Sequence, residues 1–334
     1  MYAARNLSPS FIIQFAWKPL FIFTVYAVLI TFLYEIVGLT FLALPFVPIS
    51  LIGTAVAFYV GFKNNSAYER LWEARKIWGT IVNLSRSFTV HLLDYLHPSD
   101  KLDHDSLQEH KRILVYRLLA YINALRIQLR SRQMWNDKHD PFTTIVTDKT
   151  PFTNANLLDE IKQFLHEDEA EKLNNKFNKA THILRQQSEH VLHLFDLGCT
   201  DSYKQVELGR MITSLYDQQG ACERMKTYPF PRQYAFFSNL FVWILAFVLP
   251  LGLLGELAKI GHPFVWVTVP VSVLISWIFN VMEIVGDRSE NPFENGVNDI
   301  PMTALCRTIE IDLREMLNEK DIPGRIHPVK GIIM

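Results

Sequence analysis

The sequence predicts an all-α membrane protein in which four transmembrane helices accompany a large helical cytosolic region. Three observations lead there. Residues 19–62 hold a single charged side chain, Glu35, and residues 234–285 hold only Glu256, Lys259 and Glu283. A helix crosses a bilayer with about 20 mostly apolar residues, so each block has room for two crossings. The residues between them are dense in charge and repeat their apolar side chains every three or four positions, the period of an amphipathic helix. No part of that region alternates apolar and polar residues for long, so almost no strand is expected.

Taken in order, residues 1–18 carry Arg5 and Lys18 on the approach to the membrane. The first crossing is expected over residues 20–42, and Pro45 and Pro48 mark the turn after it, since each lacks a backbone donor and disfavours helix just before it. The second helix is expected from about residue 49. Its apolar part ends at Phe62 and runs into Lys63, Asn64 and Asn65 with no proline between. That part is short for a crossing, so these polar residues are expected near membrane depth, shielded by protein or facing water. The helical rhythm continues through Tyr68, Leu71, Trp72, Arg75, Ile77 and Trp78 and breaks at His97-Pro98-Ser99-Asp100.

A further amphipathic helix is expected over residues 106–130, and a loop around Pro141 and Pro151. Helical patterning returns over residues 157–195 and 201–226. Pro229 and Pro231 introduce a third crossing over residues 234–254. The fourth follows over 264–284, after a turn holding Gly255, Gly261 and Pro263. The remainder is polar with scattered prolines, apart from one helical stretch over 304–318. The organisation is therefore an N-terminal segment (1–18), a first pair of crossings (19–62), a charged helical region (63–233), a second pair (234–284) and a C-terminal segment (285–334). Between them the two short turns carry one basic residue, Lys259. The positive-inside rule then puts both termini and the charged region in the cytosol.

Composition excludes several classes. The 334 residues are 49% hydrophobic and 13% aromatic with a net charge of −1, too apolar for a disordered chain and without the basic excess of a nucleic-acid binder. Cys199, Cys222 and Cys306 are scattered and form no CxxC pair, which argues against a disulfide framework. Arg5 is followed by only a short apolar run with no small-x-small cleavage site, so the first membrane helix is expected to do the targeting itself. The sequence contains no HExxH, Walker loop, GxGxxG or GxSxG, and its histidines do not fall at metal-ligand spacing, with His91, His97 and His104 near a loop. No enzyme, metal site or cofactor is expected on these grounds.

Thr54, Phe58 and Phe62 fall at i, i+4 and i+8 and so share one helix face. Gly53, Ala55, Ala57 and Gly61 around them suit close helix approach in a bilayer. The aromatic stripe reads in two ways. It packs against a neighbouring helix, or it forms a hydrophobic constriction that gates by excluding water. Glu35 is expected near the outer interface, where its charge costs little. Lys63, Arg70, Glu73 and Arg75 read as salt-bridge partners on a solvated helix. Asn280 and Glu283 read as ordinary polar residues at the end of the fourth crossing.

The run GFKNNSAYERLWEARKIWG at 61–79 resembles the bestrophin family, in its prokaryotic branch. The proline-rich turn into SLIG at 50–53, GACER at 220–224, ENPF at 290–293 and NDIP at 298–301 agree, in the family's order and over almost the whole chain. The resemblance implies an inner-membrane, multi-pass homopentameric ion channel whose partners are small monovalent ions, the bilayer and its own copies. It implies that the second helix lines a narrow neck, which falls here on Thr54, Phe58 and Phe62. Thr54 departs from the larger apolar residue usual at the first position, which implies a wider or wetter upper neck. A second, cytosolic aperture falls at Tyr203, with Val206 the close alternative. Animal members bind calcium through an acidic run after NPF. Here ENGVND at 294–299 has far fewer carboxylates, whereas calcium takes six to eight oxygen ligands. Animal bestrophins pass anions and prokaryotic relatives favour cations, so selectivity stays open. The alternative from a different class is a membrane-anchored helical scaffold or signalling protein whose charged region binds a partner.

Overall fold

In the computed structural model, the chain forms helices α1 (Pro9–Glu35), α2 (Phe46–Tyr95), α3 (His104–Arg130), α4 (Leu157–Lys162), α5 (Glu167–Leu173), α6 (Lys179–Asp196), α7 (Ser202–Thr227), α8 (Arg232–Ala258), α9 (His262–Val265), α10 (Thr268–Ser289) and α11 (Met302–Met316). The structure describes residue 1 and residues 9–131, 157–228, 230–296, 298–329 and 331–334, with the side chains of 9–16 left aside. Arg5 and the loop expected around Pro141 and Pro151 lie outside the described residues. Among those described, pairing of the β type is limited to two isolated bridges, Ser99–Leu102 and Val329–Ile332. The protein is all-α, as its periodicity predicts.

Packing divides the chain into two units, and α2 contributes to both. One unit takes Ala4–Leu71 and Pro229–Asn291. It holds three of the stretches long and apolar enough to cross a bilayer, Trp17–Glu35, Arg232–Ala258 and His262–Ser289, and the part of the fourth, Thr40–Tyr95, up to Leu71. These are the four expected crossings, with shifted ends. The first stops at Glu35 and not at 42. Gly38 takes a left-handed φ of 82°, open to glycine at no steric cost, and a short 3-10 turn at Thr40–Leu42 follows. The second begins at Phe46, with Pro48 inside its first turn, where a missing N–H breaks no helical bond.

The membrane unit is built on apolar contact between α2 and α8. Ile49, Val56 and Val60 of α2 are buried against Val242, Leu245 and Leu249 of α8. Tyr59 stacks on Tyr234 with ring centroids 4.3 Å apart. Gly252 permits the approach, because a Cβ there would sit 2.5 Å from Ile49 Cδ1. Of the small residues singled out in the sequence, Gly53 faces Leu245 of α8, 3.6 Å from where a Cβ would sit, whereas Ala55 and Ala57 are exposed and a Cβ on Gly61 would meet open space. Helix α1 joins through Phe23 on Trp243 and Tyr26 on Phe247, whose carbonyl accepts the Tyr26 hydroxyl at 3.0 Å.

The other unit takes Met1–Ala3, Trp72–Tyr228 and Pro292–Met334. Its spine is α3, buried continuously from Leu118 to Arg126, with α4, α6, α7 and α11 packed on it. Trp78, Phe88 and Tyr121 are fully buried in this unit, and the Tyr121 hydroxyl donates to the Leu215 carbonyl at 3.1 Å. The continuous patterning read over 157–195 is in fact three helices. The Asn174–Asn178 stretch makes the second break, where the Asn178 side chain caps α6 by accepting the Thr181 N–H at 3.1 Å. Asparagine competes for local backbone groups and so favours caps over helix interiors.

Candidate functional site

The membrane half of α2 has two unlike faces. Val56, Val60, Lys63 and Ala67 are buried. Thr54, Ala55, Gly61, Asn65 and Glu69 are exposed, and so are Phe58 at 65% and Phe62 at 64%. The structure therefore brings Thr54, Phe58 and Phe62 onto one free face of a single chain. The two rings lie 6.5 Å apart at 27°, and Thr54 Oγ1 is turned back to the Ser50 carbonyl at 2.9 Å. One turn further, Asn65 donates to Glu69 at 2.8 Å on the same face. Two aromatic side chains thus lie between polar ones along one exposed strip.

Tyr203 and Val206 belong to the other unit, at the start of α7. They sit three residues apart, on one helix face, and are 89% and 49% exposed. Asp201 caps the helix there by accepting the Lys204 N–H at 2.9 Å.

Behind the Thr54 strip, Lys63 is fully buried, with its ammonium 2.5 Å from Glu283 Oε1 of α10. The other Glu283 oxygen accepts from the hydroxyl of Ser238 on α8. Lys63 is thus shielded by protein and salt-bridged, as two of its readings expected, but the helix face that carries it is not solvated, and Glu283 is more than ordinary interface polarity. The signal was present in the sequence: each is an isolated charge at the end of an apolar block, and the charges are opposite. Glu35 closes α1 and pairs with His262 Nδ1 at 3.0 Å.

Four histidines unremarkable in sequence, His110, His166, His190 and His193, line a cavity of about 320 Å³ with Arg117 and Glu169. Among the described residues, no group of three metal-ligating side chains is placed to hold an ion. The cavity is organised by Arg117. Its Nη1 donates to His190 Nδ1 at 3.0 Å and to Gln187 at 3.3 Å, and its remaining nitrogens bond Glu169. An arginine only donates, so the His190 proton sits on Nε2 and is donated to His110 Nδ1 at 2.8 Å. Burial, with Arg117 beside it, pushes the His190 pKa down to about 3.

In the loop after NPF, the buried Asp299 accepts the Gly296 N–H at 2.8 Å, and burial raises its pKa to about 6. Glu294 lies 3.7 Å from the Lys226 ammonium. Both loop carboxylates are thus engaged with the chain's own groups.

A family profile described as Bacterial/Fungal Bestrophin protein matches residues 6–315. The voltage-dependent anion channel-forming protein YneE of Escherichia coli strain K12 is 27% identical over 308 residues, 92% of this chain and 88% of that protein. A protein named in the same way from Mesorhizobium japonicum is 28% identical over 276 residues, 81% of this chain and 75% of its own length. A crystal structure of a bacterial bestrophin homolog from Klebsiella pneumoniae superposes with a TM-score of 0.75 at 24% identity, covering 91% of this chain and 99% of that one. These relatives are named as channel-forming proteins and not as enzymes.

Proposed function

The chain belongs to the bacterial and fungal bestrophin family, and from that premise we propose that it is a passive ion channel. Five copies surround a conducting path on the five-fold axis. The path is narrowest at a neck of Thr54, Phe58 and Phe62 from every copy, and Tyr203 with Val206 forms a second constriction. The assembly sits in the inner membrane with both termini and the charged unit in the cytosol, the side on which basic residues accumulate.

One observation carries the neck. The free face of α2 mixes Phe58 and Phe62 with Thr54, Asn65 and Glu69. Exposed to lipid, the polar members would be costly. Lining a water-filled path, they are solvated, and the phenyl rings narrow that path with an apolar collar. The relatives' names make a small monovalent anion the first ion to test. The positive edges of the phenyl rings suit an anion, whereas their faces suit a cation.

Phe58→Ala and Phe62→Ala are expected to widen the neck and raise single-channel conductance in planar bilayers. Unchanged currents in both variants would overturn the assignment. Reversal potentials under a salt gradient, recorded in the same preparation, give the sign of the permeant ion.

A further inference from the structure

Lys63 follows Phe62 directly, yet its side chain is fully buried while the Phe62 ring stays exposed. Neighbouring helical residues point about 100° apart, so a tether on Lys63 sets where Phe62 points. The tether reaches two further helices. Glu283 of α10 takes the Lys63 ammonium on one oxygen and the Ser238 hydroxyl of α8 on the other. Ser238 is fully buried and Glu283 is 3% exposed. Asp287, one turn along α10, lies 3.6 Å from the same ammonium. At this level α2 and α10 touch, since a Cβ on Gly286 would collide with the Asn64 side chain.

Such a pair is a poor device for stability. Removing both ions from water is costly, and a well-packed apolar pair in their place is often neutral or stabilising. What a buried ion pair supplies is register, because its contacts are directional. The contacts of α2 with α8 through Ile49, Val56 and Val60 are apolar and carry no such directionality, and the polar contact beside them, from the Tyr234 hydroxyl to the Tyr59 carbonyl, is long at 3.4 Å. We propose that Lys63, Glu283 and Ser238 are positioning residues for the neck, holding α2 at one rotation and one height so that Phe58 and Phe62 present their rings to the ion path. This inference rests on the neck reading above.

The test is single-channel recording on the assembled protein, with melting temperature measured alongside. The double variant Lys63→Met/Glu283→Met keeps bulk without charge. It is expected to assemble and to melt no lower than the wild type, yet to shift conductance by about threefold, the result of a modest change in barrier. Ser238→Ala is expected to shift conductance in the same direction by less. Phe62→Ala is recorded in parallel. Wild-type conductance in the double variant, with an altered Phe62→Ala, overturns the clamp and leaves the neck standing. Wild-type conductance in both removes the neck reading, and the clamp with it. Should the double variant fail to assemble, wild-type conductance in Ser238→Ala overturns the proposal.

Discussion

Arg117 on α3 and Lys63 on α2 are both buried cations, 3% and 0% exposed, and their surroundings treat them differently. Arg117 spreads its donors over a carboxylate, an amide and an imidazole from α5 and α6, beside an open cavity. Lys63 meets one buried carboxylate closely, inside a set of apolar helices. A planar guanidinium with five donors can join several elements at once, whereas an ammonium acts as a compact point charge. The arginine therefore gathers its unit together, and the lysine aligns one helix within its own. Loss of the first should appear as instability, and loss of the second as altered conduction.

That contrast can be broken most directly at Arg117. Arg117→Met leaves the carboxylate of Glu169 without its partner and should cost about 2–3 kcal/mol, below the full penalty for a buried pair because Glu169 is 21% exposed. The measurement is a lower melting temperature of the detergent-purified protein. A wild-type value would mean that the arginine does not hold α3 to its neighbours.

Acid sharpens the comparison by a smaller amount. The His190 pKa is pushed below its ordinary 6.5 to about 3, and that of His110 is lowered too, burial being the larger cause for both. The folded chain then binds these protons less readily than the unfolded one. Their contribution to stability is complete above pH 6.5 and is lost progressively as pH falls towards 3. Protonation also sets an N–H of His190 against the Arg117 donor 3.0 Å away. His190→Gln should flatten the pH dependence of melting between about 6.5 and 5, above the range where most carboxylates titrate. Equal slopes in the two proteins would count against a buried neutral His190 as the source of the acid sensitivity.

The smallest effect is expected at Arg185–Glu189, an exposed i,i+4 pair on α6 at 2.9 Å. Arg185→Ala should change stability by less than about 0.5 kcal/mol, with a melting curve close to wild type. A large loss there would erase the distinction between paired charges that are buried and those that are solvated.

Much of the fold is legible along the chain, because helical crossings are local. A run of some twenty apolar residues must satisfy its own backbone inside a bilayer, and the helix does this without help from distant residues. The candidate neck is legible for the same reason: Thr54, Phe58 and Phe62 lie within nine consecutive positions of one helix. The breaks between α4, α5 and α6 were hidden because apolar periodicity continues across capping residues such as Asn178.

Taken alone, the sequence determined the helical class, the four crossings, the family and the face shared by Thr54, Phe58 and Phe62. The tertiary structure alone decided that this face is the free one, that Lys63 finds Glu283 across 220 positions, and that His110 meets His190 across 80. The physical reason is range. Hydropathy and period act over a few turns of one helix, whereas a buried charge or a neutral histidine gets its character from whichever distant element folding places against it.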